Sequence, residues 1–529
     1  MTDVRWSIGL DISTQTVSAM LMGCRLENGL PTELIISSAW TASRPCREEK
    51  ERKSPDVWVR LVRECIIELK KQARETALVA GIGVSTTFPG VFPILCDGRI
   101  DPAVASLYDN TDDAGINELE FADALAAAET DTANRMWTGN MVIGLAGLVK
   151  SGALRLNDAR AIAPPNTAFA YALAQEVGFN PDANISDFTE TAISGLYDIS
   201  AFAPMAAGVT NLLARAVPEA DWTRLAHLLP QAVPAWRNVI PSDALQGVRH
   251  FLELPELESI SIGAGDSPLA VLALMSGLDT IVNVRGSSDS PVVIVEQPLP
   301  RSTSRETVFH YPLPTMRQTS DSPWCATAPM LRSGRVWDWV KSLRFESSSL
   351  KADEELERLA IEALKRRTEA PPGSLERKPI VFDTALGGER APRWDPHAAG
   401  SITGLIESHG IGDIALAALE GMSGTLKECI ELLELRYGIS PSKLLLAGGP
   451  AKNALWNWIT GEITGKKTYA TTFSDASLLG AALLGMAASL DGRLDDDSIA
   501  LHLTQLSDLA SIHPLIRPVA VTAPKSLYH

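Results

Sequence analysis

Residues 8–22 read IGLDISTQTVSAMLM. An apolar run stops at Asp11, small hydroxyl residues follow, and an apolar run resumes at Val17. Residues 6–10 and 16–22 therefore predict the two strands of a buried hairpin. Its tip is unusually polar: Asp11, Ser13, Thr14 and Gln15 set a carboxylate and two hydroxyls beside consecutive backbone N–H groups. Such a turn lets a phosphate approach its amides while the carboxylate holds Mg²⁺ directly or through water. It can equally be a turn whose Asp and Ser bond their own backbone.

Working outward, residues 34–40 predict a third strand. Ser54-Pro55 has the form of a helix start, and Val57, Leu61, Val62, Cys65, Ile66 and Leu69 follow as one apolar stripe. Residues 77–84 (ALVAGIGV) predict a buried strand, and 93–100 a hairpin turning at Asp97-Gly98. From 123 to about 252 the pattern is mostly helical, with loops at Pro164-Pro165 and Asn180-Pro181. Strand character returns at 259–262 and 280–284 and continues through PVVIVEQP, with a helix over 269–275 between. Residues 296–330 are rich in Pro, Ser and Thr and predict loop and extended chain. Helices are expected over 352–366, 414–435 and 454–464, the last after the strand KLLLA. The second half thus begins like the first, with a strand and a polar turn. A duplicated α/β unit with a cleft between the halves is expected, divided near residue 255.

The bulk numbers agree with that size. A chain of 529 residues is too long for one ordinary domain. With 45% hydrophobic and 21% charged residues, it has the composition of a globular protein with large cores. A formal net charge of -17 disfavours nucleic acid and anionic membrane as partners, though not a local pocket for an anionic nucleotide. The six cysteines are scattered without a CxxC pair, which points to free thiols in a reducing compartment rather than disulfides or zinc. With no apolar run of membrane-spanning length and no apolar leader, a cytoplasmic protein is expected.

Three further stretches carry chemistry. SIGAGDSPLA (261–270) runs a strand into Gly263-Ala264-Gly265 and then Asp266, either a helix N-cap or a carboxylate delivered to a crevice. Arg285-Gly286-Ser287-Ser288 is a second short turn suited to phosphate, in which Arg285 either adds charge or is a solvated edge residue. Gly448-Gly449, before the third, opens a helix whose N-terminus suits an anion, and glycine also lets a flat base lie on backbone.

Together, in this order and spacing, these stretches resemble the FGGY family of carbohydrate kinases over roughly residues 6–488. Residues 9–22 resemble its first phosphate motif, with Ser-Thr-Gln most like the xylulokinase branch. RMWTGNMVIGLAGLVK (135–150) resembles its Thr-Gly-to-Lys segment, and GAGDSPLA the stretch holding its base. VRGSSDS resembles the second phosphate motif, and GGERAPRWDPHAAG (387–400) is the most specific match. The stretch from LLAGGPAKNALW to SDASLLGAALLG resembles the adenosine motif and the C-terminal signature.

The resemblance implies two actin-like, ribonuclease H-like ATPase domains (1–255 and 256–490), a C-terminal tail (491–529), an interdomain cleft, and ATP with Mg²⁺. It implies Asp266 as general base and Asp11 as the Mg²⁺ residue. Ser13, Thr14, Gln15, Gly286 and Ser287 would hold phosphates, and Gly448, Gly449 and Asn453 the adenosine. Arg390 and Asp395 are expected to fix domain structure rather than act in chemistry. Family members often form dimers, so a homodimer is implied by analogy.

The sugar-facing segments depart from the pattern. Where many members have Ser-Gly-Gln-x-His-Gly, this chain has Ser85-Thr86-Thr87-Phe88-Pro89-Gly90, so Thr87 and Pro89 stand at the Gln and His positions. Tyr108-Asp109-Asn110-Thr111-Asp112 replaces Trp-x-Asp-x-Arg, and Asp109 can take over one register away. Thr87, Phe88, Asp109, Asn110 and Asp266 are therefore the expected substrate contacts. The acceptor is expected to be a ketose, polyol or related small sugar, other than the commonest xylulokinase substrate. The competing reading is a nucleotide- or sugar-binding regulator on the same fold.

Overall fold

The computed structural model describes residues 3–179, 184–274, 277–300, 307–321, 323–330, 332–345, 350–471 and 473–527. The loop expected at Asn180-Pro181 and the last residue of the helix expected over 269–275 lie outside them, as do 301–306 and 322 of the Pro-rich stretch.

The hairpin forms as expected. Strands β1 (Asp3–Ile12) and β2 (Thr16–Glu27) pair antiparallel down to Ile12 opposite Val17, which leaves residues 13–15 as the tip. Ile8, Leu10, Ile12, Val17, Ala19 and Leu21 are fully buried or nearly so, and so are Met20 and Met22 of the opposite face. A sheet covered on both faces reads as a continuous apolar run, which is why the alternation is weak here. β3 (Leu30–Pro45) extends the meander well beyond residues 34–40. Helix α1 (Pro55–Gln72) covers one face through Trp58, Val59, Val62, Ile66 and Leu69.

β4 (Val79–Thr86) returns parallel to β1, and β5 (Ser259–Ile260) and β6 (Ala264–Gly265) lie parallel to β4. The first sheet thus runs third, second, first, fourth, fifth strand. The second sheet repeats this order. β7 (Thr280–Arg285) is its first strand and β8 (Asp289–Val295) its antiparallel second. β9 (Phe309–Pro312) and β10 (Trp324–Thr327) follow, with β10 the third strand and β9 outside it. β11 (Lys443–Ala447) is parallel to β7, and β12 (Lys467–Ala470) is parallel to β11. The internal duplication read from the two strand-and-turn starts is therefore a duplication of topology.

Two expectations change. The Pro-rich stretch contributes strands β9 and β10 to the second sheet, because short strands buried on both faces show no period-2 pattern. Residues 259–265, beyond the cut at 255, belong to the first sheet. We propose that the domains divide after Gly265. The segment 491–529 also carries a 17-residue helix (Asp496–Ile512) packed against β3.

The helix that positions the site is α2 (Ala476–Ala488), from the C-terminal half. It lies directly on β1 and β4 of the first sheet. The approach is close enough to require glycine: a Cβ on Gly83 would lie 1.8 Å from the Ala481 carbonyl oxygen, and one on Gly81 1.9 Å from that of Gly485. These backbone contacts bind the two halves along one seam and bring the start of α2 beside the hairpin tip.

Candidate active site

The ends of β4 and β7 open on one cavity of about 330 Å³. Thr87, Phe88 and Pro89 after β4, Asp266 after β6, and Gly286, Ser287 and Ser288 after β7 all line it. Ser474 and Ser477 enter from the start of α2, and Arg390 from the Gly387–Gly400 stretch. Residues about 200 positions apart in sequence thus share one wall, because the end of β4 in the first sheet and the end of β7 in the second meet there.

Asp266 is the first residue of a helix (Asp266–Leu274) and is partly buried. Its Oδ1 accepts from the Ser267 N–H at 2.7 Å. Burial, and then the charge of Asp11, push its carboxyl up to about 7. Asp11 lies at the end of β1, where the Ser85 hydroxyl donates to it at 2.5 Å. Burial lifts Asp11 to about 6; Asp475 at the start of α2 adds to this, while hydrogen bonds from Ser85 and Ser477 oppose it. Among the described residues, Asp11 is therefore a carboxylate with an acidic neighbour and no cationic side chain that lowers it. That fits a hard divalent ion, which would take one or two carboxylates together with nucleotide phosphates. Among the described residues no group of three or more His, Cys, Asp or Glu could hold a metal ion unaided.

Behind Asp266 lies a buried acidic pair on the short helix Phe188–Ile193. Asp187 and Glu190 are both wholly inaccessible. Asp187 caps that helix by accepting from the Thr189 and Glu190 N–H groups, and burial raises it to about 7. Glu190 accepts from the Thr86 hydroxyl at 2.8 Å, while its Oε2 has no partner. Burial, then the charges of Asp187 and Asp266, hold Glu190 well above the usual carboxylate range. Thr189 of the same helix accepts from the Gly265 N–H, next to Asp266. The sequence reading passed over this helix, although Asp187-x-x-Glu190 before an apolar run has the spacing of a helix start.

The other expected residues fall as follows. Ser13 closes the hairpin tip by bonding Thr16, the Thr14 carbonyl accepts from Arg52, and Gln15 is exposed. Gly448 takes a φ of 91°, and a Cβ there would lie 2.0 Å from the Arg285 carbonyl oxygen. Gly449 follows it in a short turn, and Asn453 caps the helix Ala454–Thr464 by accepting from the Trp456 N–H. Asp109 is engaged by Arg52 at 2.6 Å, and Asn110 donates to the Asp112 and Thr138 carbonyls. Neither is among the residues lining the cavity, whereas Thr87, Phe88 and Asp266 are.

Arg285 is neither a free charge nor a solvated edge: it is 1% exposed. Its guanidinium lies 4.3 Å from the Trp456 ring centroid, donates to Asn457 and Thr460, and pairs with Asp289 at 3.5 Å. In the Gly387–Gly400 stretch Asp395 does fix its own loop, accepting from the His397 N–H. Arg390, by contrast, lines the cavity.

The comparisons agree with this architecture. The C-terminal domain of the FGGY family of carbohydrate kinases matches residues 286–489. The chain is 27% identical to a gluconokinase of Bacillus subtilis over 50% of this chain and 51% of that one. It is 26% identical to the xylulose kinase of Escherichia coli over 50% and 46%. It spans about half the length of these curated relatives. A solved gluconate kinase from Lactobacillus acidophilus superposes with a TM-score of 0.73 at 18% identity, covering 99% of this chain and 94% of that one. A ligand-bound xylulose kinase from the same organism does so with the same figures. Residues 286–489 are thus an FGGY-family carbohydrate-kinase C-terminal domain, in a chain that takes the two-domain fold of gluconate and xylulose kinases along nearly its whole length.

Proposed function

We propose that the protein is an ATP-dependent carbohydrate kinase that transfers the γ-phosphoryl group of ATP to a hydroxyl of a ketose, polyol or related small sugar. The observation that carries this reading is the meeting of Asp266, Gly286 and Ser287 on one cavity, with Asp11 beside it. Asp266 receives the proton of the attacking hydroxyl as its oxygen bonds to the γ-phosphorus. The bond to the bridging oxygen breaks, and ADP leaves with that electron pair. The Gly286-Ser287-Ser288 turn offers backbone and hydroxyl donors to the phosphates, and the Gly448-Gly449 turn a flat face to the adenosine. Asp11 would hold Mg²⁺, which, when bound, neutralises charge on the phosphates. The rest of the catalysis is positioning and exclusion of water by two domains closed on the cleft.

The six cysteines are unpaired, which suits the cytoplasmic setting of this reading, and no described helix is long and apolar enough to cross a membrane. A homodimer is the assembly to test by light scattering. The test of function is ADP release by the purified protein with Mg²⁺-ATP across a panel of ketoses, alditols and sugar acids. Stimulation by at least one compound, abolished in Asp266→Asn, is expected. ATP binding without stimulation by any of them would favour a regulator instead.

A further inference from the structure

Two arginine–tryptophan contacts cross between the halves of the chain at the cavity, and they are reciprocal. The Arg390 guanidinium of the second half lies 4.4 Å from the Trp137 ring centroid of the first. The Arg135 guanidinium of the first half lies 4.9 Å from the Trp394 ring centroid of the second. The two rings meet edge to face, 6.2 Å apart, and Phe309 of β9 contacts both, at 6.1 and 5.6 Å between centroids. Trp137, Phe309, Trp394 and Arg390 line the cavity, whereas Arg135 does not. The Asn134 side chain joins the same segment to β9: its Oδ1 accepts from the His310 N–H at 2.7 Å, and its Nδ2 donates to the His310 carbonyl at 3.0 Å. Residues 134–137 and β9 are therefore fixed to each other, and the third ring, Trp394, comes to them from a loop.

Trp394 has to be held. It takes a φ of 58°, a left-handed backbone that is an outlier for a bulky side chain. Such a conformation persists only where its surroundings impose it. The Trp394 N–H donates to the Arg390 carbonyl at 2.6 Å, which closes the turn but leaves the ring to its neighbours. Among these, Arg135 is only 7% exposed, so its cation lies over the ring with little water to compete. The ion pair of Arg135 with Glu118, at 2.7 Å, reaches a side chain that is 64% exposed, and such a pair contributes little. The ring contact is thus the larger consequence of burying this guanidinium.

We propose that Arg135 is a positioning residue for the acceptor: it holds the Trp394 ring as part of the cavity wall and so sets the size of acceptor that the wall admits. This rests on the kinase reading above and adds a determinant of its specificity. Released from the guanidinium, Trp394 relaxes toward an ordinary backbone conformation and its ring withdraws. The cavity widens there, with Asp266 and the Gly286 turn left in place.

Ketoses, alditols and sugar acids of three to six carbons, with ADP release as the readout, are the probes. A wall that fits one acceptor rejects one a carbon longer by about tenfold or more in kcat/KM. In Arg135→Gln that discrimination is expected to fall to about twofold, and the KM for the best acceptor to rise roughly tenfold, the weight of one desolvated cation–ring contact. The KM for ATP is expected to stay within about twofold of the parent's. Glu118→Gln removes the ion pair and keeps the ring contact, so it should retain the parent's size preference. Trp394→Leu removes the ring directly and should lose the same discrimination, which keeps the test open should Arg135→Gln fail to fold. Fluorine-19 NMR of the protein labelled with 5-fluorotryptophan needs no turnover: Trp394→Phe identifies the Trp394 signal, and Arg135→Gln is expected to shift it.

A Trp394 signal that does not move in Arg135→Gln overturns the proposal, as does an unchanged size preference in a variant that circular dichroism shows to be folded. Equal losses in Glu118→Gln and Arg135→Gln also overturn it and make Arg135 an ion-pair residue alone. In each of these cases the parent still phosphorylates an acceptor, and the kinase reading stands. ADP release by the parent with none of the compounds removes the kinase reading itself, and the proposal with it.

Discussion

The Asp11 carboxylate is set so that it discourages the charge of Asp266. After its own burial, it is the Asp11 carboxylate that lifts Asp266, to about 7. A base in that range is half-ionised near neutrality, where it both accepts a proton and exists in the form that can. The pair comes from two strand ends of the first sheet, β1 and β6, that flank β4.

The pH profile should show it. Below about 7, kcat/KM is expected to fall by roughly tenfold per pH unit as Asp266 takes up a proton. In Asp11→Asn the repelling charge is gone, so Asp266 should titrate lower. Carbon-13 NMR of labelled aspartate reads this without turnover, and an unchanged midpoint in the variant would sink the coupling.

Stability should respond in the opposite sense to the usual carboxylate. Asp187 and Asp266 are raised to about 7 and Asp11 to about 6, with Glu190 raised as well. A carboxyl raised in the folded state holds protons that the unfolded chain has released. Its stabilising contribution is complete below the unfolded value near 4 and is lost as pH rises through the folded value. The ligand-free protein should therefore be less stable at pH 8 than at pH 5. Urea unfolding at the two pH values measures the difference, and Glu190→Gln should shrink it.

The glycine seam makes a separate prediction. Gly83→Ala puts a methyl group 1.8 Å from the Ala481 carbonyl oxygen of α2, backbone that has no side-chain freedom to yield. Overpacking of this kind costs about 3 kcal/mol. Because α2 carries Ser477 to the site, kcat should fall along with the unfolding midpoint. A variant as stable and as active as the parent would mean that the helix does not lie on this sheet in solution.

What the sequence disclosed and what it hid follow from the range of the interactions. The hairpin tip, the helix over 454–464 and the glycine turn before it rest on local pattern and on spacing, so they were legible. Strands β5 and β6 are two residues each, and their place beside β4 is a parallel pairing across more than 170 residues with no local trace. Asp109 was a reasonable substrate contact by spacing, but nothing near it announces Arg52 as its partner. Arg390 was expected to fix domain structure, and only the fold places Trp137 and Tyr108 around it.

Arg285 was the hardest residue to read, since its partners Trp456, Asn457 and Thr460 lie on a helix far along the chain. Its role yields the last prediction. Arg285→Met leaves Asp289, which is 1% exposed, without its cation, and an uncompensated buried charge costs about 3–5 kcal/mol. Arg285 also directly precedes Gly286, and its carbonyl oxygen is the atom that a Cβ on Gly448 would strike. Loosening it should disturb both the Gly286 and the Gly448 turns at once and, if these are the nucleotide contacts as proposed, raise the KM for ATP more than the KM for acceptor. Arg285→Met with Asp289→Leu removes both charges. The pair should recover most of the lost stability in urea unfolding, yet not the KM for ATP, because the guanidinium that braces the turn through Asn457 and Thr460 is still absent. Recovery of both would reduce Arg285 to a charge partner for Asp289, with no part in holding the turn.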